Sequence, residues 1–177
     1  CAPTTSGNTS LLGVIIAANG FTQGAGYTLT IGSAGWLQSG GVFYGGDSTI
    51  TTPSLILSGG TFQSTSSVLR IFKTAAGTTT VFQYTGGTFT HNSGTLTFDY
   101  SNGASNGSGN IDVPSGISVW NINFATTLYN VTWSLGAGQT ITVQNNFTQK
   151  RVSGGNSVTV NNGTIYVTKD LYIGGGA

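Results

Sequence analysis

The chain offers few residues that could carry out chemistry. Its carboxylates are four aspartates with no glutamate, and it has one histidine, His91, and one cysteine, Cys1. Glycoside hydrolysis needs two carboxyl groups facing one sugar, and only Asp99 and Asp112 lie near each other in the sequence. No second His or Cys stands at metal-ligand spacing from His91, and no phosphate-binding Gly-Lys-Ser/Thr loop occurs. We therefore expect no enzymatic activity, no cofactor and no metal site.

Charge is scarce along the whole chain. Only 5% of the 177 residues are charged and the formal net charge is +1, whereas soluble domains average about 25% charged residues. The sequence thus lacks the basic surface with which proteins bind a nucleic-acid backbone. Its longest apolar segment, Leu11–Ala18, has strand length and falls short of the roughly 20 apolar residues of a membrane helix. We expect no nucleic-acid partner and no transmembrane segment.

The composition predicts an all-β protein. Hydrophobic residues make up 37% of the chain and aromatic residues 11%, which is enough to bury a core and argues against disorder. Good helix formers are scarce, whereas Thr, Val, Ile, Tyr and Phe are abundant. Short runs alternate apolar and polar residues, as in Tyr27–Ile31 and Gln139–Val143. This two-residue period is typical of strands with one buried face.

A local repeat indicates how these strands are arranged. The segment Ser39–Phe43 recurs as Ser58–Phe62 and again as Thr85–Phe89, each time with a Gly-Gly pair before the last two residues. An apolar strand, a Gly-Gly corner and a short strand ending in Phe make a circuit of roughly 20 residues, the size of one solenoid coil. We predict a polar leader over residues 1–10 and a parallel β-solenoid of roughly eight coils over residues 11–177. The alternative is an antiparallel β-sandwich in which the Gly-Gly pairs are ordinary turns.

The repeat also makes a prediction about the core. Equivalent positions of successive coils stack directly on one another. Phe43, Phe62 and Phe89 occupy equivalent positions. They are therefore expected to form an interior aromatic ladder.

Four pieces of the last third of the chain carry a resemblance: Leu128–Thr132, Gln139–Val143, Gly163–Val167 and Asp170–Gly175. Through them the stretch Ile117–Ile173 resembles the repeats of large bacterial surface and secreted proteins of the adhesin or filamentous-haemagglutinin-like type. The resemblance implies a β-helical, exported protein that serves in adhesion or surface structure, at the bacterial cell surface or in the extracellular space.

The start of the chain suggests a lipid anchor. Cys1-Ala2-Pro3 followed by a Thr-, Ser- and Asn-rich stretch resembles a bacterial lipoprotein after removal of its signal peptide. Lipidation at Cys1 would attach the subunit to a membrane before assembly. The alternative is a chance cysteine at a cleavage boundary.

The two ends of a solenoid predict self-association. Each end exposes unpaired backbone groups and an uncovered core unless a cap closes it, and this sequence shows no amphipathic cap at either end. Complementary open ends make a head-to-tail contact that grows into a filament, and the first strand could instead be donated to a neighbour's sheet. The residues expected at the subunit interface are Leu11, Leu12, Val14, Ile15 and Ile16 on one side and Tyr166, Leu171, Tyr172 and Ile173 on the other.

We therefore expect a structural subunit of an extracellular filament, a pilus-like fibre built from copies of this chain. The alternative is a monomeric cell-surface adhesin or a β-helical module that binds surface glycans or ice. Trp36, Trp120 and Trp133 could stack on sugars, and the recurring Thr-x-Thr pairs could bind ice. Burial in the core is the simpler role for the tryptophans, and outward-facing threonines are ordinary strand residues.

Overall fold

The computed structural model describes residues 4–73, 77–100, 106–126, 129–151 and 157–174. These residues form eighteen strands and no helix. The strands are β1 (Thr9–Ile16), β2 (Gly20–Thr22), β3 (Thr28–Tyr44), β4 (Thr49–Thr52), β5 (Leu55–Gln63), β6 (Val68–Lys73), β7 (Gly77–Tyr84), β8 (Thr88–Thr90), β9 (Thr95–Tyr100), β10 (Gly107–Asp112), β11 (Ile117–Val119), β12 (Asn121–Thr126), β13 (Val131–Leu135), β14 (Thr140–Val143), β15 (Asn146–Arg151), β16 (Val158–Asn161), β17 (Thr164–Val167) and β18 (Asp170–Gly174).

Every pairing between these strands is parallel, and the chain visits three faces in a fixed order. Face A stacks the start of β1, the start of β3, and then β4, β6, β9, β12, β15 and β18. Face B stacks the end of β1, the middle of β3, the start of β5, and then β7, β10, β13 and β16. Face C stacks β2, the ends of β3 and β5, and β8, followed by β11, β14 and β17. The prediction of a parallel β-solenoid is therefore confirmed, and the antiparallel sandwich is excluded.

The solenoid has about six turns. The turns lengthen along the chain: Ile50 pairs with Leu69, 19 residues later, whereas Leu69 pairs with Leu96, 27 residues later. A uniform coil of roughly 20 residues was thus too short for the second half. The predicted eight coils are reached only when the incomplete terminal turns are counted.

The core is a set of side-chain columns that run along the solenoid axis. Phe43, Phe62 and Phe89 lie one above another, with ring centroids 5.0 Å and 5.8 Å apart. Phe21 extends this column by one turn, at 5.5 Å from Phe43, and the sequence repeat did not reveal it. A second column lies on face A, where Phe98 and Phe124 stack at 5.1 Å. Such ring contacts stabilise the fold beyond the stabilisation that comes from burying each ring away from water.

The Gly-Gly corners stack as well. Gly41, Gly60 and Gly87 all have positive φ, at 60°, 74° and 85°, a conformation that glycine adopts without strain. A Cβ at Gly60 or at Gly87 would also overlap the backbone of the preceding turn. The repeat therefore has glycine here because the corner is both left-handed and in close contact with its neighbour.

The aromatic ladder leads to a stability prediction. Phe62 is 1% exposed and touches rings on both sides, so Phe62→Ala leaves a cavity. The free energy of unfolding should fall by about 3–5 kcal/mol, measured by denaturant unfolding. Thr88→Ala, at an exposed position of β8, is the control and should change stability little. A loss for Phe62→Ala no larger than for the control would contradict the ladder.

Candidate functional site: the two ends of the solenoid

The first end is formed by the outer edge of β1. Within the described residues, β1 pairs with β3 alone, so its other edge is open. Val14 and Ile16 point into the core and are 8% and 6% exposed, whereas Leu12 and Ile15 are exposed on the flank. A shallow open cavity of about 320 Å³ lies here, lined by apolar side chains. Its lining residues include Leu11, Gly13, Val14, Ile15, Ile16 and Phe21.

Part of the predicted leader belongs to the solenoid. Thr4 forms a parallel bridge with Thr22 on the outer edge of β2, and the Thr5 amide donates to the Thr22 carbonyl at 3.1 Å. The Thr5 hydroxyl donates to Gln23 Oε1 at 2.8 Å. Thr4 and Thr5 thus occupy one further strand position on face C, outside β2. Strand β1 begins at Thr9, two residues before the predicted domain boundary. Cys1, the candidate lipidation site, lies outside the described residues.

The second end consists of β16, β17 and β18, each paired on one side alone in the described structure. Leu171 and Ile173 point inward, in line with the core columns of face A, yet they are 60% and 65% exposed because no strand among the described residues covers them. Tyr166 and Tyr172 point outward and are also exposed. The inward side chains of the other two strands complete this apolar surface and were missed from the sequence. They are Val158, Val160, Ile165 and Val167, which are partly buried against the core.

The predicted interface residues therefore divide into two kinds. Leu11, Val14 and Ile16 at one end and Leu171 and Ile173 at the other continue the core columns. Leu12, Ile15, Tyr166 and Tyr172 lie on the outer surface beside the open edges. Neither end carries much charge: the first charged residue of the chain is Asp47, and the last turn adds Lys169 and Asp170.

The two aspartates considered for sugar hydrolysis lie on different faces. Asp99 is on face A and accepts a hydrogen bond from Arg70 Nε at 2.8 Å, while the Arg70 guanidinium lies over the Phe72 ring. Asp112 ends β10 on face B. The structure does not bring these two carboxylates together.

Asp112 takes part in a polar column on the outside of face B. Gln83 Nε2 and Gln139 Nε2 donate to its two oxygens at 2.9 Å and 2.7 Å. The hydrogen bond from Gln83 and then that from Gln139 lower the pKa of Asp112, against the opposing effect of its partial burial. The carboxylate is held in its ionised form as a link between three successive turns.

The aromatic residues considered for sugar binding are mostly internal. Trp36 and Trp133 are 1% and 0% exposed. Trp120 is partly exposed and stacks on His91 with ring centroids 5.8 Å apart. On face A, Thr28 pairs with Thr49 and Thr30 with Thr51, but Arg70 follows Thr51 in the next turn and interrupts the threonine array.

A buried lysine was not anticipated from the sequence. Lys73 ends β6 and points inward in line with Leu69 and Ile71, so that it is 3% exposed. Its Nζ donates to the Thr79 hydroxyl at 2.8 Å. Burial lowers the pKa of Lys73 because the charged form loses hydration. The alternation of Leu69 and Ile71, continued to the next inward position, predicts that Lys73 is buried, although lysine is rarely buried in proteins.

The described residues contain no group of three or more His, Cys, Asp or Glu side chains that could hold a metal ion. They also include no helix long and apolar enough to cross a membrane. No protein-family model, no curated protein and no solved structure matches this chain.

Lys73 makes stability depend on pH. Its pKa in the folded chain lies below the usual value of 10.5, so the unfolded chain binds more protons between those two values. The free energy of unfolding must therefore rise with pH in that interval. Relative to Lys73→Met, the wild type should gain stability as the pH rises from 7 towards 10.5, measured by urea unfolding. The tyrosines are common to both proteins, so their titration cancels; a stability difference that is constant with pH would contradict a desolvated lysine.

Proposed function

We propose that the protein is a structural subunit of an extracellular bacterial filament, in which copies join head-to-tail through their open β edges. The observation that carries this proposal is the exposure of core-column residues at the second end, above all Leu171 and Ile173. When a further turn covers the exposed end of a hydrophobic column, the free energy falls because apolar surface is removed from water. The unpaired backbone groups of an edge strand favour the same contact.

Three further features support head-to-tail assembly over other modes. All strands run parallel, so a second copy placed on the end in the same orientation continues the hydrogen-bonding pattern already present. The two ends differ in sequence and shape, and a contact between unlike surfaces does not close on itself. With few charges at either end, little electrostatic repulsion opposes stacking.

The cellular setting of this proposal comes from the sequence. The likeness to adhesin-type repeats favours the bacterial cell surface, and a lipid on Cys1 would hold the subunit at a membrane before assembly. The competing function is a monomeric surface adhesin that binds glycans. In such a monomer both open ends would stay exposed to solvent.

The assembly is tested by placing charge on the second end. Leu171→Lys and Ile173→Lys should each weaken association by at least about a hundredfold, because burying an unpaired ammonium group costs several kcal/mol. Both side chains are already exposed, so the monomer should fold normally. Sedimentation velocity and negative-stain electron microscopy would follow assembly as a function of concentration.

The matched control is Thr88→Lys, which adds the same charge on an exposed position of a central turn. It should assemble like the wild type. A wild-type protein that stays monodisperse at 18.0 kDa at high concentration would contradict the filament and favour the adhesin. Point substitutions are preferable to deletion of residues 1–18, since the deletion would also remove Val14 and Ile16 from the core.

A further inference from the structure

The three faces of the solenoid have unequal numbers of strand positions in the described structure. Face A has eight, from the start of β1 to β18. Face C also has eight when the Thr4–Thr5 position outside β2 is counted. Face B has seven, from the end of β1 to β16. The described chain thus begins on face C and ends on face A, and the position that follows β18 in the winding order is on face B.

This inequality decides how two copies can meet, given the head-to-tail assembly proposed above. If the second copy aligns its faces with those of the first, Thr4–Thr5 pairs with β17 and Thr9–Leu11 pairs with β18. The described residues then leave one strand position of face B unfilled, and the facing edges of β16 and β1 lie two strand spacings apart, about 9.6 Å. Both edges would stay unpaired inside the junction, which is costly for backbone groups removed from water.

A rotation by one face removes this gap. We propose that each subunit is rotated by one face about the solenoid axis relative to the one before it, so that the second copy continues the winding order of the first. Thr4–Thr5 then lies on β16, the Thr9–Leu11 part of β1 lies on β17, and the Gly13–Ile16 part lies on β18. Each of the three end strands gains a parallel partner at normal spacing.

The side chains at the rotated junction match in direction. Val14 and Ile16 point inward, as their partners Trp36 and Gln38 do. Leu171 and Ile173 point inward in line with Phe147 and Gln149. Alignment of inward with inward residues puts Val14 on Leu171 and Ile16 on Ile173, and these pairs extend the core across the junction.

The rotation also accounts for exposed residues on the flank. It brings Ile15, which is 78% exposed, beside Tyr172, which is 54% exposed. An aliphatic and an aromatic side chain in adjacent positions of neighbouring strands form a favourable pair. On the next face, Ser10 lies beside Tyr166. With aligned faces, Ser10 would instead lie beside Tyr172, and Ile15 would border the missing strand.

Disulfide trapping distinguishes the two junctions. Facing Cα atoms of adjacent parallel strands are about 5 Å apart, within the range that a disulfide bridges. In a Cys1→Ser background, the double variants Ile15→Cys/Tyr172→Cys and Ser10→Cys/Tyr166→Cys report the rotated junction. The variant Ser10→Cys/Tyr172→Cys reports the aligned one. Each is assembled, inspected by electron microscopy, oxidised and run on a non-reducing gel.

The rotated junction predicts a ladder of covalent multimers for the first two variants and at most traces for the third. The Ser10→Cys/Tyr166→Cys variant keeps Ile15 and Tyr172 intact, so the test stands even if the other pair weakens assembly. A ladder in the third variant alone would overturn the rotation and leave the filament intact. Filaments without a ladder in any variant would overturn the end contact described here, and the absence of assembly in the wild type would overturn both proposals.

Discussion

The structure depends on the parallel pairing of each turn with the next. A single turn of 19 to 30 residues has inward side chains on three faces, but it cannot cover them or satisfy its own backbone groups. Stacking another turn at strand spacing does both at once. All other features follow from this repetition, including the columns of like side chains, the stacked corners and the ends at which repetition stops.

Because the turns stack directly on one another, each side chain contacts the side chains at the equivalent positions of the neighbouring turns. Phe43 is fully buried, and it lies between Phe21 and Phe62 and shares contacts with both. Polar residues follow the same rule on the outside, where Asp112 accepts hydrogen bonds from the turns on either side of it. The scarcity of charge is consistent with this geometry, since like charges stacked at strand spacing would repel one another.

The sequence was informative where the repeat was regular. Three Gly-Gly corners followed by Phe predicted the coil and its aromatic column because the same physical need recurs at each turn. The sequence was less informative about side-chain direction in β1. A register shift between Leu11 and Gly13 marks the corner from face A to face B, and alternation could not be carried across it. Lys73 was missed for a different reason: its position points inward, but its residue type is typical of surfaces.

At the two ends, the outer strands are paired on one side alone in the described structure, and in the proposed filament another copy covers them. Amide hydrogen exchange followed by mass spectrometry tests this claim directly, since exchange reports the hydrogen bonding of the backbone itself. Comparison of dispersed with assembled protein should show peptides from β1 and from β16 to β18 gaining strong protection on assembly. Peptides from central strands such as β6 and β9 should be unchanged. Equal exchange of the end strands in the two states, or new protection confined to the flanks of central turns, would contradict the account.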